Sequence, residues 1–490
     1  MNSPCEKFAN DPLMLHFHAG FRFKTLEIKV NQEFLSRVHR FVSIELKKWL
    51  KPGYYTNRRE TQGRKDMKQA YNLWIGICLM LLAGSAVADK TRQNIIIILV
   101  DALRPDHISY FGYPCAMTPN IDRIAESGVV FMDATTSIPL TNPALATLLT
   151  SQPISRTGVN RNGISLLPDN PTLAEILKAN GYQTYAVVSC WALYHNRSGL
   201  HKGFDHYIDS GTSLSLELDA KQVTARAIGL VDSQMNEPFF LFVGYSEPHQ
   251  PHQLYPDLSG SEKTCAPDNR TDVEKNYDSE VSYVDYWMGQ LLKKLDSHGW
   301  LKNSFLIIMS DHGESLGEKN YVGHGRKLYE HILHISLIFS GPRIPEAKKI
   351  QRPVYILDIM PTILSYLGLE SKTKLAGRDL LPHINQNEPL PEIPMYYETN
   401  SIAVLDLPGL KKIGRATPPS AIALRNGNLK IIYDLKKKNW EIYDLARDPK
   451  EEHNLFDQQN PEHHKLAEKL LENFKENSAS GPHLKLEFTP

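Results

Sequence analysis

The strongest constraint on the fold comes from three runs of apolar residues, each bounded by polar ones. The runs are "NIIIILVD" at 94–101, "PFFLFVGYSE" at 238–247 and "NSFLIIMSDHG" at 303–313. A strand that is apolar on both faces has to be covered on both faces, as the strands of parallel sheets are. Segments with helical spacing lie between the runs, so the sequence predicts an α/β sandwich with a mostly parallel central sheet.

The helical segments carry recognisable start and stop signals. The segment "TPNIDRIAESGVVF" (118–131) predicts a helix with Thr118 as N-cap and Pro119 at the first position. The segment 172–189 predicts a helix, a glycine stop and a strand, and apolar residues recur at helical spacing across 274–300.

The character of the chain changes near residue 385, where it becomes rich in proline. The segments "SAIALRNGNLKIIYD" (420–434) and "NWEIYDLARD" (439–448) then predict antiparallel strands joined by an Asn-Gly turn. A terminal helix is expected around 461–477. We therefore assign 89–384 to the main domain and 385–490 to a small C-terminal antiparallel β subdomain.

The N-terminal region contains a targeting signal at an unusual place. The segment "MKQAYNLWIGICLMLLAGSAVAD" (67–89) has the charge, apolar run and small residues of a secretory signal peptide, which predicts cleavage after Ala88. The simplest interpretation starts translation at Met67, so that 1–66 is a misassigned upstream extension outside the mature protein. The alternatives are a real N-terminal domain and a membrane anchor, for which the apolar run is short. We expect export to a bacterial periplasm without stable membrane insertion.

Charge and cysteine content exclude some classes of partner and site. The 55 basic and 55 acidic residues give no net charge, and no long basic stripe marks a nucleic-acid surface. Beyond the signal peptide, Cys115, Cys190 and Cys265 allow at most one disulfide, and no pair has the spacing of a zinc motif.

Polar residues follow the predicted strands directly. Asp101 ends the first run, Asp311 and His312 end the third, and His249 follows the second in "SEPHQPH". Ligands of open α/β sheets bind at the carboxyl ends of the strands. A lone strand-end aspartate is more often a cap, and a lone histidine more often belongs to a turn. Asp-His-Gly directly after a strand has no evident packing use and favours a metal site.

A hydroxyl stands at the start of a further predicted helix. Thr141 opens "TNPALATLLT" (141–150), and the N-terminus of a helix suits a tetrahedral oxyanion. We expect Thr141 and the strand-end residues to lie together around one divalent cation.

An ordered series of segments resembles the sulfatase-like hydrolases of the alkaline phosphatase superfamily across about 92–456. The segments are "NIIIILVDALRPDHISYFGY", "TPNIDRIAESGVVF", "LTNPALATLLT", "GYQTYAVVS", "GFDHY", "SEPHQPH", "YDSEVSYVD", "SDHGESLGE", "DIMPTIL" and "IYDLARDPKEEHNL". The resemblance implies the alkaline-phosphatase-like sandwich, a catalytic domain at 89–384, and metal-dependent hydrolysis of sulfate or phosphate esters.

The resemblance also implies roles for individual residues. Asp101, Asp311 and His312 match metal ligands, and Thr141 matches the nucleophile, which also contacts the metal.

Four further residues are implied around the substrate anion. Asn162 resembles the asparagine that contacts the transferred group, and His249 matches a histidine near the substrate or leaving group. His324 falls where many relatives carry a lysine that neutralises the anion. Lys327, three residues on, could partly substitute for that lysine.

The departures from the family pattern are as informative as the matches. Typical sulfatases carry Cys or Ser, converted to formylglycine, in a Cys-x-Pro-x-Arg motif, whereas this chain has Thr141 and Leu145 at the ends of that motif. Ala102 replaces a paired aspartate, which removes an oxygen ligand. The remaining set favours zinc or manganese over calcium, and one metal over two, although calcium and a second metal stay open.

A threonine alkoxide lacks the second hydroxyl with which hydrated formylglycine expels sulfate, so water must attack the covalent intermediate. That route is standard for phosphoryl transfer. We therefore expect hydrolysis of a small phosphate, phosphonate or sulfate ester that is aryl-, sugar- or lipid-linked. The alternatives are a sulfuric ester hydrolase of the arylsulfatase type, a degenerate anion-binding protein without turnover, and an envelope transferase. The transferase is the least expected of these, because such transferases usually carry transmembrane helices and none is predicted here.

Overall fold

The computed structural model describes residues 92–210, 217–255, 265, 268–400 and 418–478, so the predicted extension at 1–66 and signal peptide at 67–88 lie outside it. The described residues form a large sheet between two layers of helices, followed by a smaller antiparallel sheet. The predicted fold class is confirmed. Among the described helices, none has the length and apolar character needed to cross a membrane.

The strands are numbered in chain order. They are β1 Asn94–Val100, β2 Gly128–Phe131, β3 Ala134–Thr135, β4 Gln183–Val188, β5 His206–Ile208, β6 Phe239–Tyr245, β7 Ser304–Met309, β8 Ser315–Leu316, β9 Val322–Gly323, β10 His334–Ile335, β11 Leu337–Ser340, β12 Lys348–Ile350, β13 Val354–Tyr355, β14 Met395–Thr399, β15 Ala421–Asn426, β16 Leu429–Asp434 and β17 Asn439–Asp444. The large sheet has the order β12-β2-β11-β7-β1-β6-β4-β5, and β11 alone runs against its neighbours.

The helices are numbered in the same way. They are α1 Pro119–Glu126, α2 Thr141–Thr150, α3 Ile154–Thr157, α4 Leu173–Ala179, α5 His195–Ser198, α6 Ala220–Ser233, α7 Asp272–Ser297, α8 Glu330–Leu333, α9 Ile359–Leu367, α10 Leu381–Gln386 and α11 Pro461–Asn477.

Two hydrophobic cores lie on opposite faces of the large sheet because successive strand residues point to opposite sides. In β1, Ile95 and Ile97 pack with helices α2, α4 and α9, whereas Ile96 and Ile98 pack with α1, α6 and α7. Both sets are fully buried. Because helices cover both faces of the sheet, every position of β1 is buried, which explains the continuous apolar run in the sequence.

The prediction of one helix across 118–131 was wrong in its second half. Helix α1 ends at Glu126, and Gly128–Phe131 forms β2. A Cβ at Gly128 would lie 2.2 Å from the Phe339 carbonyl oxygen of neighbouring β11, so the close approach of the two strands requires glycine there. The Thr118 side chain does not cap α1; its hydroxyl accepts the Ser109 N–H and donates to Asp122.

Other predicted elements lie where the sequence placed them. Helix α4 begins with a capping box between Thr172 and Glu175, and α7 begins with one between Thr271 and Glu274. The terminal helix spans Pro461–Asn477.

The C-terminal antiparallel sheet differs from its prediction in two details. It contains a further strand, β14, within the proline-rich stretch. Asn426 pairs with Leu429, so the turn between β15 and β16 consists of Gly427 and Asn428 rather than Asn426 and Gly427. Gly427 has a φ of 63°, the left-handed conformation that favours glycine.

The cysteines respect the predicted limit of one disulfide. Cys115 is bonded to Cys265 across 150 positions, and Cys190 is buried and free.

The packing of α11 on the C-terminal sheet yields a first prediction. Leu470 is fully buried against this sheet, in contact with a cluster that includes Ile422 and Ile431. We expect Leu470→Ala to lower the free energy of unfolding by about 2–5 kcal/mol, because it leaves a cavity in a packed core. Urea denaturation followed by circular dichroism measures this. The exposed neighbour Glu472 provides the control: Glu472→Ala should change stability by less than about 0.5 kcal/mol, and equal effects of the two variants would contradict the packing.

Candidate active site

The centre of the site is set by the pairing of β1 with β7. Leu99 lies beside Met309 in these parallel strands, so two residues later Asp101 comes beside Asp311. Both carboxylates and the neighbouring His312 are buried, with at most 1% of their surface exposed. Adjacent parallel strands therefore deliver three ionisable side chains to one point at the carboxyl edge of the sheet.

Hydrogen bonds at this point leave one ligand atom free on each side chain. Asp311 Oδ1 accepts the N–H groups of Ala102 and His312 at 3.2 and 3.0 Å, and His312 Nδ1 donates to the Gly313 carbonyl at 2.9 Å. Asp101 Oδ1, Asp311 Oδ2 and His312 Nε2 have no hydrogen-bond partner although they are buried. Buried polar atoms are rarely left without a partner.

These three atoms face one another at metal-ligand distances. His312 Nε2 lies 3.6 Å from Asp101 Oδ1 and 3.5 Å from Asp311 Oδ2, and one ligand atom from each of the three residues fits within 4.8 Å. The backbone bond of His312 Nδ1 fixes the tautomer that presents Nε2 as a ligand. The residues fit a divalent ion such as zinc or manganese.

The electrostatics of the site point the same way. Burial, reinforced by Asp311, raises the pKa of Asp101 well above its usual range. Burial lowers the pKa of His312 to about 4, which keeps the imidazole in the neutral form that binds metals. Two adjacent buried carboxylates call for a positive charge between them.

Thr141 lies at the edge of this cluster as the first residue of α2. Its Oγ1 donates to Asp101 Oδ2 at 3.3 Å, so the hydroxyl is held against a predicted metal ligand. The predicted nucleophile and the predicted metal ligands are thus brought together.

Asn162 modifies the expectation of an open helix N-terminus. Its Oδ1 accepts the N–H of Asn142 at 3.0 Å, and Pro143 has no N–H, so fewer amides of α2 remain for an anion than the sequence led us to expect. Because Oδ1 is engaged, the NH₂ group of Asn162 is the part of its amide left to donate to an anion.

Three histidines lie in a row beside the cluster. The rings of His312 and His324 are 4.2 Å apart, and those of His324 and His249 are 4.8 Å apart. His249 Nδ1 donates to the Gln250 carbonyl at 2.6 Å, which leaves Nε2 for chemistry. The structure therefore brings the predicted His249 and His324 to the site.

Sequence reasoning missed Glu314, which is fully buried beside His324. Its two carboxylate oxygens lie 3.1 and 3.3 Å from His324 Nδ1. Burial would raise the pKa of Glu314, but the charge and hydrogen bond of His324, together with the charges of His249 and His312, outweigh it and lower that pKa to about 2. Burial lowers the pKa of His324, but Glu314 outweighs it and raises that pKa above its usual value. An acidic residue after Asp-His-Gly was visible in the sequence, but its distance of ten residues from His324 gave no sign of the pair.

The side chain of Lys327 is engaged by a residue of the C-terminal sheet. Its Nζ lies 3.7 Å from Asp434 on β16, so the lysine forms an ion pair with the C-terminal sheet. Its predicted substitution for the missing lysine finds no support in this placement.

The backbone of Ala102 takes part in the hydrogen bonds of the site. It adopts a φ of 59°, donates its N–H to Asp311 and accepts the Tyr277 hydroxyl at 2.7 Å. Within the described ranges, the other group with metal-ligand spacing is Asp448, Glu452 and His453, of which the last two are exposed.

Comparison with known proteins identifies relatives over most of the described chain. A family model described as "Sulfatase" matches residues 93–369, and one described as "N-sulphoglucosamine sulphohydrolase, C-terminal" matches 317–480. A sulfatase of Formosa agariphila is 27% identical over 435 residues, covering 69% of this chain and 83% of the relative.

Two further proteins extend the comparison. A Delta 4,5-hexuronate-2-O-sulfatase of Bacteroides thetaiotaomicron is 23% identical over 439 residues, covering 76% of this chain and 88% of the relative. The crystal structure of the phosphonate monoester hydrolase of Agrobacterium radiobacter shares the fold, with a TM-score of 0.64 at 20% identity over 80% of this chain and 96% of that one.

The three free ligand atoms predict the metal content of the protein. We expect the wild type to retain one zinc or manganese ion per chain after dialysis, and Asp311→Ala to retain less than about a tenth of that, because a charged ligand is lost. Inductively coupled plasma mass spectrometry measures both. Asp448→Ala, in the other cluster, should leave the metal content unchanged, and a parallel loss there would contradict the assignment.

The pair of Glu314 and His324 predicts how anion binding depends on pH. Because the pKa of His324 is raised, its cationic form persists above the usual range and is lost as the pH rises through that pKa. Sulfate binding, measured by calorimetry between about pH 5.5 and 9, should weaken over that interval. Glu314→Gln should move the loss to lower pH by about one unit or more. His324→Lys should remove the dependence of sulfate binding on pH in this range, because lysine stays charged. A pH profile identical in all three proteins would contradict the pairing of Glu314 with His324.

Proposed function

Because the chain belongs to the sulfatase family, we propose that it hydrolyses small anionic esters with Thr141 as the nucleophile and one divalent metal ion held by Asp101, Asp311 and His312. Phosphate and phosphonate esters are the first candidates, and sulfate esters are the second. The observation that carries the proposal is the Thr141 hydroxyl, 3.3 Å from Asp101 Oδ2, beside three ligand atoms that lack partners.

The reaction proceeds in two displacements. In the first, the Oγ1 of Thr141 forms a bond to phosphorus as the bond from phosphorus to the leaving oxygen breaks, and the hydroxyl proton passes through solvent to the leaving alcohol. In the second, water attacks phosphorus, the bond to Oγ1 breaks, and one proton of the water returns to Thr141. A bound divalent ion would supply positive charge that favours the threonine alkoxide and offsets the charge on the ester oxygens.

Side chains of this protein are placed to hold the anion during both steps. The NH₂ group of Asn162 donates to a non-bridging oxygen, as does the edge of His324 opposite Glu314. His249 lies beside His324, and burial, together with the charge of His324, lowers the pKa of His249. A neutral His249 with Nδ1 bonded to Gln250 presents Nε2 as an acceptor for a proton of the attacking water.

The nucleophile favours phosphorus over sulfur. A formylglycine hydrate can expel sulfate by means of its second hydroxyl, whereas a threonyl ester has to be hydrolysed by water at the central atom. Water attack on a covalent ester is standard chemistry for phosphoryl groups. The fold of a phosphonate monoester hydrolase is compatible with this choice.

Sulfate esters of sugars are the second candidate because of the relatives. One relative is named for the 2-O-sulfate of an unsaturated hexuronate, and the family model that matches 317–480 is named for a sulphoglucosamine sulphohydrolase. We infer a sugar as the alcohol part of the substrate in either case. Export to the periplasm is part of the proposal and is supported by the disulfide between Cys115 and Cys265, since disulfides persist in oxidising compartments.

Removal of the nucleophile tests the proposed mechanism. We expect Thr141→Ala to lower kcat/KM by about a thousandfold or more, and Thr141→Ser to keep most of the activity, because the serine retains the attacking oxygen. The assay compares an aryl phosphate, a phosphate diester, a phosphonate ester and an aryl sulfate, each with Zn²⁺, Mn²⁺ or Ca²⁺.

The outcomes separate the alternatives. Phosphorylated Thr141 in an acid-quenched digest, absent from Thr141→Ala, would support the covalent route. Turnover of the sulfate ester alone would move the second candidate ahead. Absence of turnover with every substrate and metal would leave an anion-binding protein and overturn the proposal.

A further inference from the structure

The C-terminal sheet has two apolar faces, and they are covered by different parts of the chain. One face packs against helix α11, through a cluster that includes Leu470. The opposite face packs against Leu328, Tyr329 and Leu333. These residues directly follow His324 in the chain, so the segment that leaves the active site is laid on the C-terminal sheet.

A buried ion pair strengthens this attachment. Lys430, in β16, has no exposed surface, and its Nζ lies 2.7 Å from Glu330 and 2.9 Å from Glu451. The backbone N–H of Glu330 donates to the Glu451 carboxylate at 2.6 Å, and Arg425 lies 3.7 Å from Glu330. A lysine buried between two carboxylates is fixed in place, because leaving either charge without its partner is costly.

The segment before Glu330 is held at two further points. The Nζ of Lys319 donates to the backbone carbonyl of Glu451. Lys327 forms its ion pair with Asp434, at 3.7 Å, on strand β16. His324 lies between these two lysines in the chain, so contacts with the C-terminal subdomain flank it on both sides.

On its other side the segment is tied to the main domain by the ion pair of Arg104 with Glu318, at 2.6 Å. A cavity of about 750 Å³ is lined there by residues that include Glu318, Lys319, Glu330 and His331. Side chains on that side do not fill the space. The contacts with the C-terminal subdomain therefore supply part, and not all, of what sets the position of the segment.

We propose that Lys430 is a positioning residue for His324, acting from the C-terminal sheet through Glu330 and Glu451. The sheet thereby helps to build the anion site without touching the substrate. This inference rests on the proposed function, because it takes His324 as a donor to the substrate anion.

The test measures the binding of inorganic sulfate by calorimetry to the full chain, together with hydrogen exchange of the segment 318–330. Lys430→Met is expected to weaken sulfate binding about 10- to 100-fold, because a misplaced binding group loses most of its contribution, and to speed exchange in the segment. Leu470→Ala is the matched control, since it destabilises the same sheet from its other face and should change sulfate binding by less than about twofold.

A double variant distinguishes positioning from a general loss of structure. In the His324→Ala protein, Lys430→Met should cause less than about a twofold further change in sulfate affinity, because the residue it positions is already absent. If Lys430→Met does not fold, Lys327→Met provides the second test, with a smaller loss of affinity of the same kind expected.

The inference is overturned if folded Lys430→Met, or Lys327→Met in its place, binds sulfate as the wild type does, or if the loss is as large without His324. The proposed function fails separately if sulfate binds normally while Thr141→Ala keeps full turnover. Both fail if the wild type binds neither sulfate nor phosphate.

Discussion

The site depends on one unfavourable contact, the placement of two buried carboxylates side by side. Asp101 and Asp311 are adjacent because β1 and β7 are adjacent, and both carboxylates are buried. Hydrogen bonds satisfy one oxygen of Asp311 and leave the other free beside His312. In such an environment a bound divalent ion would stabilise the folded chain and would also supply positive charge for hydrolysis. The protein is a hydrolase of ester bonds in the sulfatase family. The pairing of its strands places these two carboxylates at the candidate active site.

Hydrogen bonds orient the groups at the centre of the site. Thr141 opens α2 and donates to Asp101. Ala102 donates its backbone N–H to Asp311. Each bond engages one oxygen of a carboxylate, and the other oxygen of each has no hydrogen-bond partner. Oriented carboxylates with free ligand atoms are the physical argument for an active centre over a decayed one.

The fold was predictable from the sequence because the burial of apolar side chains, its main stabilising contribution, leaves local patterns in the sequence. A run such as 94–100 can be satisfied only by cores on both faces, and helix α7 shows its apolar stripe and its capping box in sequence. The convergence of Asp101, Asp311 and His312 followed from the same logic, since parallel strands end at one edge. What failed were features decided by distant contacts: the strand at Gly128, which exists because Phe339 approaches closely, and the partner of His324, which is Glu314. No local pattern specifies which residues meet across a loop.

The short side chain of His324 explains why those distant contacts matter. A lysine carries its charge on a long, flexible chain and needs little help, whereas a histidine is short, and whether it is charged depends on its surroundings. Glu314 supplies the charge partner from within the site, and the C-terminal sheet supports the segment from outside. Because the histidine side chain is short, its contact with the anion depends on where the backbone of residue 324 lies. If Lys430 positions His324 as proposed, the C-terminal subdomain contributes to anion binding, because it helps to determine where that position lies.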